Sequence, residues 1–90
     1  MEELSKKQII EYIEELSDKF YQNKVQEGVC QLPKLIQILT NIASRLNIEN
    51  QNEYLNLLKN VLEAMEEKEY IMLADILVFD VAKAIQRYQF

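Results

Sequence analysis

Carboxylates are the most abundant reactive side chains of this 90-residue chain, which has 15 Asp and Glu, 10 Lys and Arg, and no His. Without His, the commonest general base and metal ligand is missing, and Ser–His or Cys–His nucleophiles cannot be built. A carboxylate-only metal site is still conceivable, with Glu11, Glu15, Glu63 and Asp75 as its candidates. Each of them stands where an ordinary polar helix face would place it, so we expect no enzyme, no metal and no cofactor.

The lone Cys30, the single Gly and the net charge of −5 argue against further classes of function. Cys30 has no neighbouring cation in the sequence to lower its pKa, so an inert, partly exposed thiol is expected, and it cannot form an internal disulfide. A single Gly excludes a glycine-rich phosphate loop. The acidic charge without a basic cluster argues against nucleic acid and anionic membranes as partners, and no stretch of about 20 apolar residues is present. A cytoplasmic location is the expectation.

The elements that carry these residues are predicted to be helices, because good helix formers dominate and no apolar–polar alternation is present. Residues 1–90 are expected to form one domain, an all-α, up-down-up-down four-helix bundle with helices at about 4–22, 25–46, 51–67 and 70–88. An alternative is a pair of helical hairpins that completes its core only by dimerising.

Local signals set the predicted boundaries. Asn23 favours a tight turn over 22–24, because Asn tolerates the left-handed conformation that closes helices. Pro33 either kinks one continuous helix, which we favour, or begins a new one. Asn50 and Glu53 have the spacing of a capping box, which predicts a helix start there. The charged tract 66–69 is expected to be a solvated corner.

Helix four is the most informative segment, because it carries two apolar faces. A broad stripe from Tyr70 to Tyr88 has the periodicity of a core-facing helix. A second stripe on the opposite side consists of Met72, Ile76 and Phe79, with the i, i+4, i+7 spacing of side chains that stack on one helix face. The second stripe either packs against the second helix or forms an interface.

An interface on helix four is the function that the sequence favours. Its predicted residues are Met72, Ile76 and Phe79, with Asp75 beside them and Lys83 one turn further on. Met and Phe are enriched in interface cores, and a charged border gives solubility and register. We therefore expect a non-catalytic adaptor or export-chaperone-like module that binds an apolar helix of a protein partner, or of a second copy in a homodimer. The alternative is a ligand-binding or sensory domain with a pocket near Gly28 and Pro33.

Two segments carry a family resemblance: FYQNKVQEGVCQLPKLIQIL (20–39) and LLKNVLEAMEEKEYIMLADIL (57–77). They resemble a family of small all-helical bacterial proteins of uncharacterised function, in which an F-x-x-G/N-K turn, an L-P-x-L-I segment and a Y-x-x-L-A-D-x-L segment recur. The resemblance covers about two thirds of the chain and implies a helical fold. At the level of fold class, the chain is also similar to flagellar export chaperones and, less closely, to bacteriocin immunity proteins, which are often basic.

Overall fold

The computed structural model describes residues 5–89, which are helical almost throughout and include no strand. The helices are α1 (Lys6–Tyr21), α2 (Val25–Ala43), α3 (Ile48–Glu66), α4 (Tyr70–Asp75) and α5 (Ala82–Arg87). A π-helical segment, Ile76–Val81, joins α4 to α5 without a break, and we call this continuous run (70–87) helix four. The all-α, four-helix prediction is thus confirmed, while the up-down-up-down order stays a prediction.

The turn between α1 and α2 has the predicted cause. Asn23 has a φ of 63°, and its backbone N–H donates to the Phe20 carbonyl at 3.1 Å. The Lys24 N–H reaches back to the Lys19 carbonyl at 2.7 Å, which completes a Schellman motif. The left-handed conformation costs Asn little, so the three residues 22–24 are enough to connect the two helices.

α2 passes through Pro33 as one continuous helix, as predicted, and the kink expected there stays a prediction. It ends at Ala43, three residues earlier than expected, because the chain tightens there into shorter i→i+3 bonds. The Leu46 N–H donates to the Ala43 carbonyl at 3.4 Å, and the Ser44 hydroxyl to the Asn41 carbonyl at 2.8 Å. Leu46 nevertheless stays buried, which explains why the apolar pattern extends past the helix end.

The predicted capping box at Asn50 and Glu53 is wrong. Asn47 caps α3, which begins at Ile48, and its side-chain oxygen accepts a bond from the Asn50 N–H at 2.9 Å. Asn47 is extended (φ −71°, ψ 168°), as an N-cap residue should be, whereas Asn50 already lies inside the helix. Glu53 is instead bound by helix four.

Helix four contains a feature that the sequence did not predict. Over Ile76–Val81 the helical bonds span five residues instead of four, so each turn holds about one more residue than an α-turn. The wider turn shifts the face presented by the residues after it. Ala82 is therefore buried, although a uniform α-helical wheel leaves it outside the broad stripe.

One core joins all four helices. It contains most of the predicted apolar faces, with Ile13, Leu35, Tyr54 and Leu77 among the fully buried side chains. α1 packs on α2 and on helix four, and α3 packs on helix four and less closely on α2. Within residues 5–89, no helix combines the length and apolar character needed to cross a membrane.

Candidate functional site

The predicted interface residues lie together on helix four, and the structure places them at different depths. Met72 is 49% exposed and Phe79 is 56% exposed, while Ile76 between them is half-buried and packs against the core. Asp75 and Lys83 are both exposed. We call these five residues the helix-four surface. The second stripe is therefore a surface at its two ends and rests on the core at its centre.

The π-helical segment contributes the centre of this surface. Both Ile76 and Phe79 belong to it, and so does the exposed Asp80. Because a π turn is wider than an α turn, it alters the direction of the side chains that it carries. Such segments are rare in proteins and occur frequently at functional sites.

Asp75 is held by α1. Its carboxylate accepts a hydrogen bond from the Tyr21 hydroxyl at 2.5 Å, across 54 residues of sequence. Partial burial, together with the hydrogen bond and the negative charge of Asp75, raises the pKa of Tyr21 to about 12. Tyr21 is thus a neutral donor at physiological pH, and it fixes one edge of the helix-four surface.

Lys83 lies over Phe79. Its Nζ atom is 6.0 Å from the centroid of the phenyl ring, one helical turn away, which is within range of a cation–π interaction. Such a contact at an exposed site contributes about 0.5–1 kcal/mol. The ring therefore has one side covered by an ammonium group and is otherwise accessible.

A second polar cluster lies at the opposite end of helix four. Glu53 of α3 accepts hydrogen bonds from the Tyr88 hydroxyl at 2.6 Å and from Arg87 at 2.5 Å. These partners lower the pKa of the Glu53 carboxyl, mainly through the Tyr88 bond. Burial and the Glu53 interaction raise the pKa of Tyr88 to about 12. The cluster ties the start of α3 to the end of helix four and belongs to the packing of the bundle.

Sequence reasoning missed a second group of exposed apolar side chains, on α3. Leu55 is 50% exposed and Leu62 is 47% exposed, although the apolar periodicity of this helix includes both of them. Ile48, seven residues before Leu55, is 77% exposed. The spacing of seven residues in the sequence could have revealed this group. It places Ile48, Leu55 and Leu62 on one line along the helix, to one side of the buried Tyr54 and Val61.

Gly28 and Pro33 lie in different surroundings. Gly28 is buried against α1, where an added Cβ would lie 2.5 to 2.9 Å from three atoms of the Phe20 ring. Pro33 is exposed. An open, shallow depression lies nearby, at the α1–α2 turn, and is lined by residues 23–27. The glycine thus serves close helix packing, and the sensory-domain alternative stays an untested prediction.

The candidate reactive groups are dispersed. Glu11, Glu15, Glu63 and Asp75 are all exposed, and no group of three or more potential metal ligands lies together within residues 5–89. Cys30 is exposed, as the sequence predicted.

Comparison of the chain with known protein-family models, curated proteins and solved structures finds no match. The similarity of residues 20–39 and 57–77 to a family of small all-helical proteins therefore remains a resemblance and does not show family membership.

Proposed function

We propose that this chain is a non-catalytic helical interaction module, of an adaptor or export-chaperone type, whose helix-four surface binds an apolar helix of a partner protein. One observation carries the proposal: Met72 and Phe79, two large apolar side chains seven residues apart on one helix, are each about half exposed. Two such anchors with Ile76 between them match the i, i+4, i+7 contacts by which amphipathic helices pair.

The charges around the surface favour a partner over a second copy. The exposed carboxylates Asp75 and Asp80 border the apolar residues, and Lys83 already contacts the Phe79 ring. Two copies that met through this surface would bring acidic borders together in a protein of net charge −5. A helix whose apolar stripe is flanked by Lys or Arg would meet opposite charge instead. The exposed Cys30 suits work in a reducing compartment, and we place the protein in the cytoplasm.

The test uses a synthetic amphipathic peptide with a Leu stripe and flanking Lys residues, titrated against the full chain by calorimetry. Two control peptides carry the same residues in scrambled order, or Glu in place of Lys. We expect micromolar binding of the Lys peptide and at least about tenfold weaker binding of both controls. Equal binding of the three peptides, or binding of none, would overturn the proposal.

Variants then locate the binding surface. The double substitution Met72→Asp and Phe79→Asp should leave the helical circular dichroism spectrum unchanged and weaken binding of the Lys peptide at least about tenfold. The matched control, Leu55→Asp with Leu62→Asp, changes equally exposed residues on α3 and should bind as the wild type does. If the helix-four variant unfolds, its residues are core and the proposal fails.

A further inference from the structure

The side of the bundle formed by α2 and α3 also carries apolar residues that are exposed or only half-buried. On α3, Leu55, Leu58, Leu62 and Met65 continue the line that begins at Gln51, with the alternating spacing of four and three that keeps side chains on one helix face. The Gln51 side chain donates to the Ala43 carbonyl of α2 at 2.8 Å, so this line lies on the side of α3 that faces α2.

α2 supplies the matching edge. Its side towards α1 is marked by Gln31, whose carbonyl accepts a bond from Tyr12, and by Lys34, whose ammonium lies 5.7 Å from the Tyr12 ring centroid. Val29 and Ile36, seven residues apart, lie on the other edge, towards α3. Val29 is 38% exposed and Ile36 is half-buried. We call Val29, Ile36, Leu55, Leu58, Leu62 and Met65 the α2–α3 face.

The border of this face is uncharged along α2. Along the adjoining outer side of α2 the residues are Gln26, Cys30, Pro33, Gln37 and Thr40, all uncharged and exposed, in a chain of which 28% is charged. On α3 the border holds Lys59, Glu63 and Glu66, besides Asn52, so it carries charges of both signs. Depletion of charge around half-exposed apolar side chains is the composition of an interface core.

We infer that the α2–α3 face binds the same face of a second copy of this chain, related by a two-fold axis. A two-fold interface brings a surface against itself, so a face with a single net sign would repel its twin. This face is bordered by uncharged side chains along α2 and by charges of both signs along α3, so two chains of net charge −5 can meet here with less repulsion than across a uniformly acidic surface. A charged partner would gain no electrostatic attraction from the uncharged border along α2.

The size of the face sets the strength of the dimer. A 19-residue helix is about 28 Å long, and two adjacent helices are about 18 Å wide, so each copy can cover on the order of 500 Å². The total of about 1,000 Å² lies at the lower limit for specific interfaces. The dimer should therefore be weak and should form with rising concentration.

Sedimentation velocity of the full chain from about 5 to about 500 μM tests the inference. The wild type should shift from the 10.7 kDa monomer towards twice that mass. Leu55→Asp with Leu62→Asp should stay monomeric over the whole range with its helical spectrum intact. A wild type that stays monomeric at the highest concentration, or a variant that dimerises as the wild type does, would overturn the inference.

A second pair of variants decides the matter if the first one unfolds. Gln37→Glu with Thr40→Glu adds charge to exposed polar positions on the border and removes no apolar contact, so it should weaken the dimer at least about tenfold. The control, Gln86→Glu, adds charge to an exposed position of helix four and should not. Met72→Asp with Phe79→Asp should dimerise normally. A monomeric helix-four variant would assign the dimer to the other surface and refute this inference, whereas the peptide titration tests the proposed function separately.

Discussion

Gly28 shows how a single residue sets the distance between two helices. The Phe20 ring occupies the space that a Cβ at position 28 would need, and the ring is itself stacked on Tyr70 with a centroid separation of 5.1 Å. Phe20 is 1% exposed and so has no free space into which to turn. Any larger residue at position 28 must push the ring, and with it the start of helix four.

Gly28→Ala should therefore destabilise the protein. Overpacking of a core costs about 1–3 kcal/mol and the better helix propensity of Ala offsets about 1 kcal/mol, so urea unfolding should show a net loss of up to about 2 kcal/mol. Adding Phe20→Leu, which shortens the side chain in the way, should relieve the strain. The double variant should lose less stability than the sum of the two single variants, by at least about 0.5 kcal/mol. Additive losses would show that the Phe20 ring is not the obstacle.

The residue type predicted a conformation where the cause lay in the residue itself. It did not predict contacts with residues that are distant in the sequence. The left-handed Asn23 was predictable because Asn adopts that conformation readily. Lys68 adopts it too, with a φ of 58°, to close α3 in a second Schellman motif, and no residue-type signal announces it. The partners of Tyr21 and Tyr88 were not predictable, because they lie 54 and 35 residues away in the sequence.

At the scale of the element, the start of α3 provides a direct test of which asparagine is the cap. Asn47→Ala removes the acceptor for the Asn50 N–H and should cost about 1 kcal/mol in the free energy of unfolding. Asn50→Ala keeps that N–H and places a better helix former inside the helix, so stability should be unchanged or slightly higher. Thermal and urea unfolding of both variants check this. If Asn50→Ala were the less stable variant, Asn50 and not Asn47 would be the N-cap of α3.

Helix number and boundaries followed from the sequence more readily than the facing of each helix. The helical periodicity of apolar residues predicted the ends of all four helices to within a few residues, since periodicity and turn residues are local signals. Periodicity did not predict that Leu55 and Leu62 are exposed or that a π-helical turn lies at 76–81, because both outcomes depend on how neighbouring helices pack. A helical wheel assumes a constant 100° per residue, and the wider turn breaks that assumption where the helix-four surface lies.

For the molecule as a whole, the two candidate surfaces lie on different helices, and hydrogen bonds join helix four to its neighbours near both of its ends. The Tyr21–Asp75 bond connects the end of α1 to the start of helix four, and the Tyr88–Glu53 bond connects the end of helix four to α3. The N-terminal part of α1 is joined to the other end of helix four through Lys6, whose ammonium donates to the Tyr88 carbonyl. Phenol hydroxyls thus hold both ends of helix four, and their protonation bears on the whole fold.

Alkaline pH should weaken the contacts at both ends of helix four. The pKa of Tyr21 and that of Tyr88 are raised from 10.0 to about 12 in the folded state, so the folded protein keeps these protons where the unfolded chain gives them up. Their contribution to stability is complete below pH 10.0 and is lost as the pH rises towards about 12. The midpoint of urea unfolding should fall between about pH 10 and about pH 12, beyond the loss expected from lysine deprotonation alone. The variant Tyr21→Phe with Tyr88→Phe keeps Tyr54 and every lysine, so it isolates the two hydroxyls and should show a smaller fall. A fall of equal size in the variant would mean that the two phenols do not carry the alkaline sensitivity of the fold.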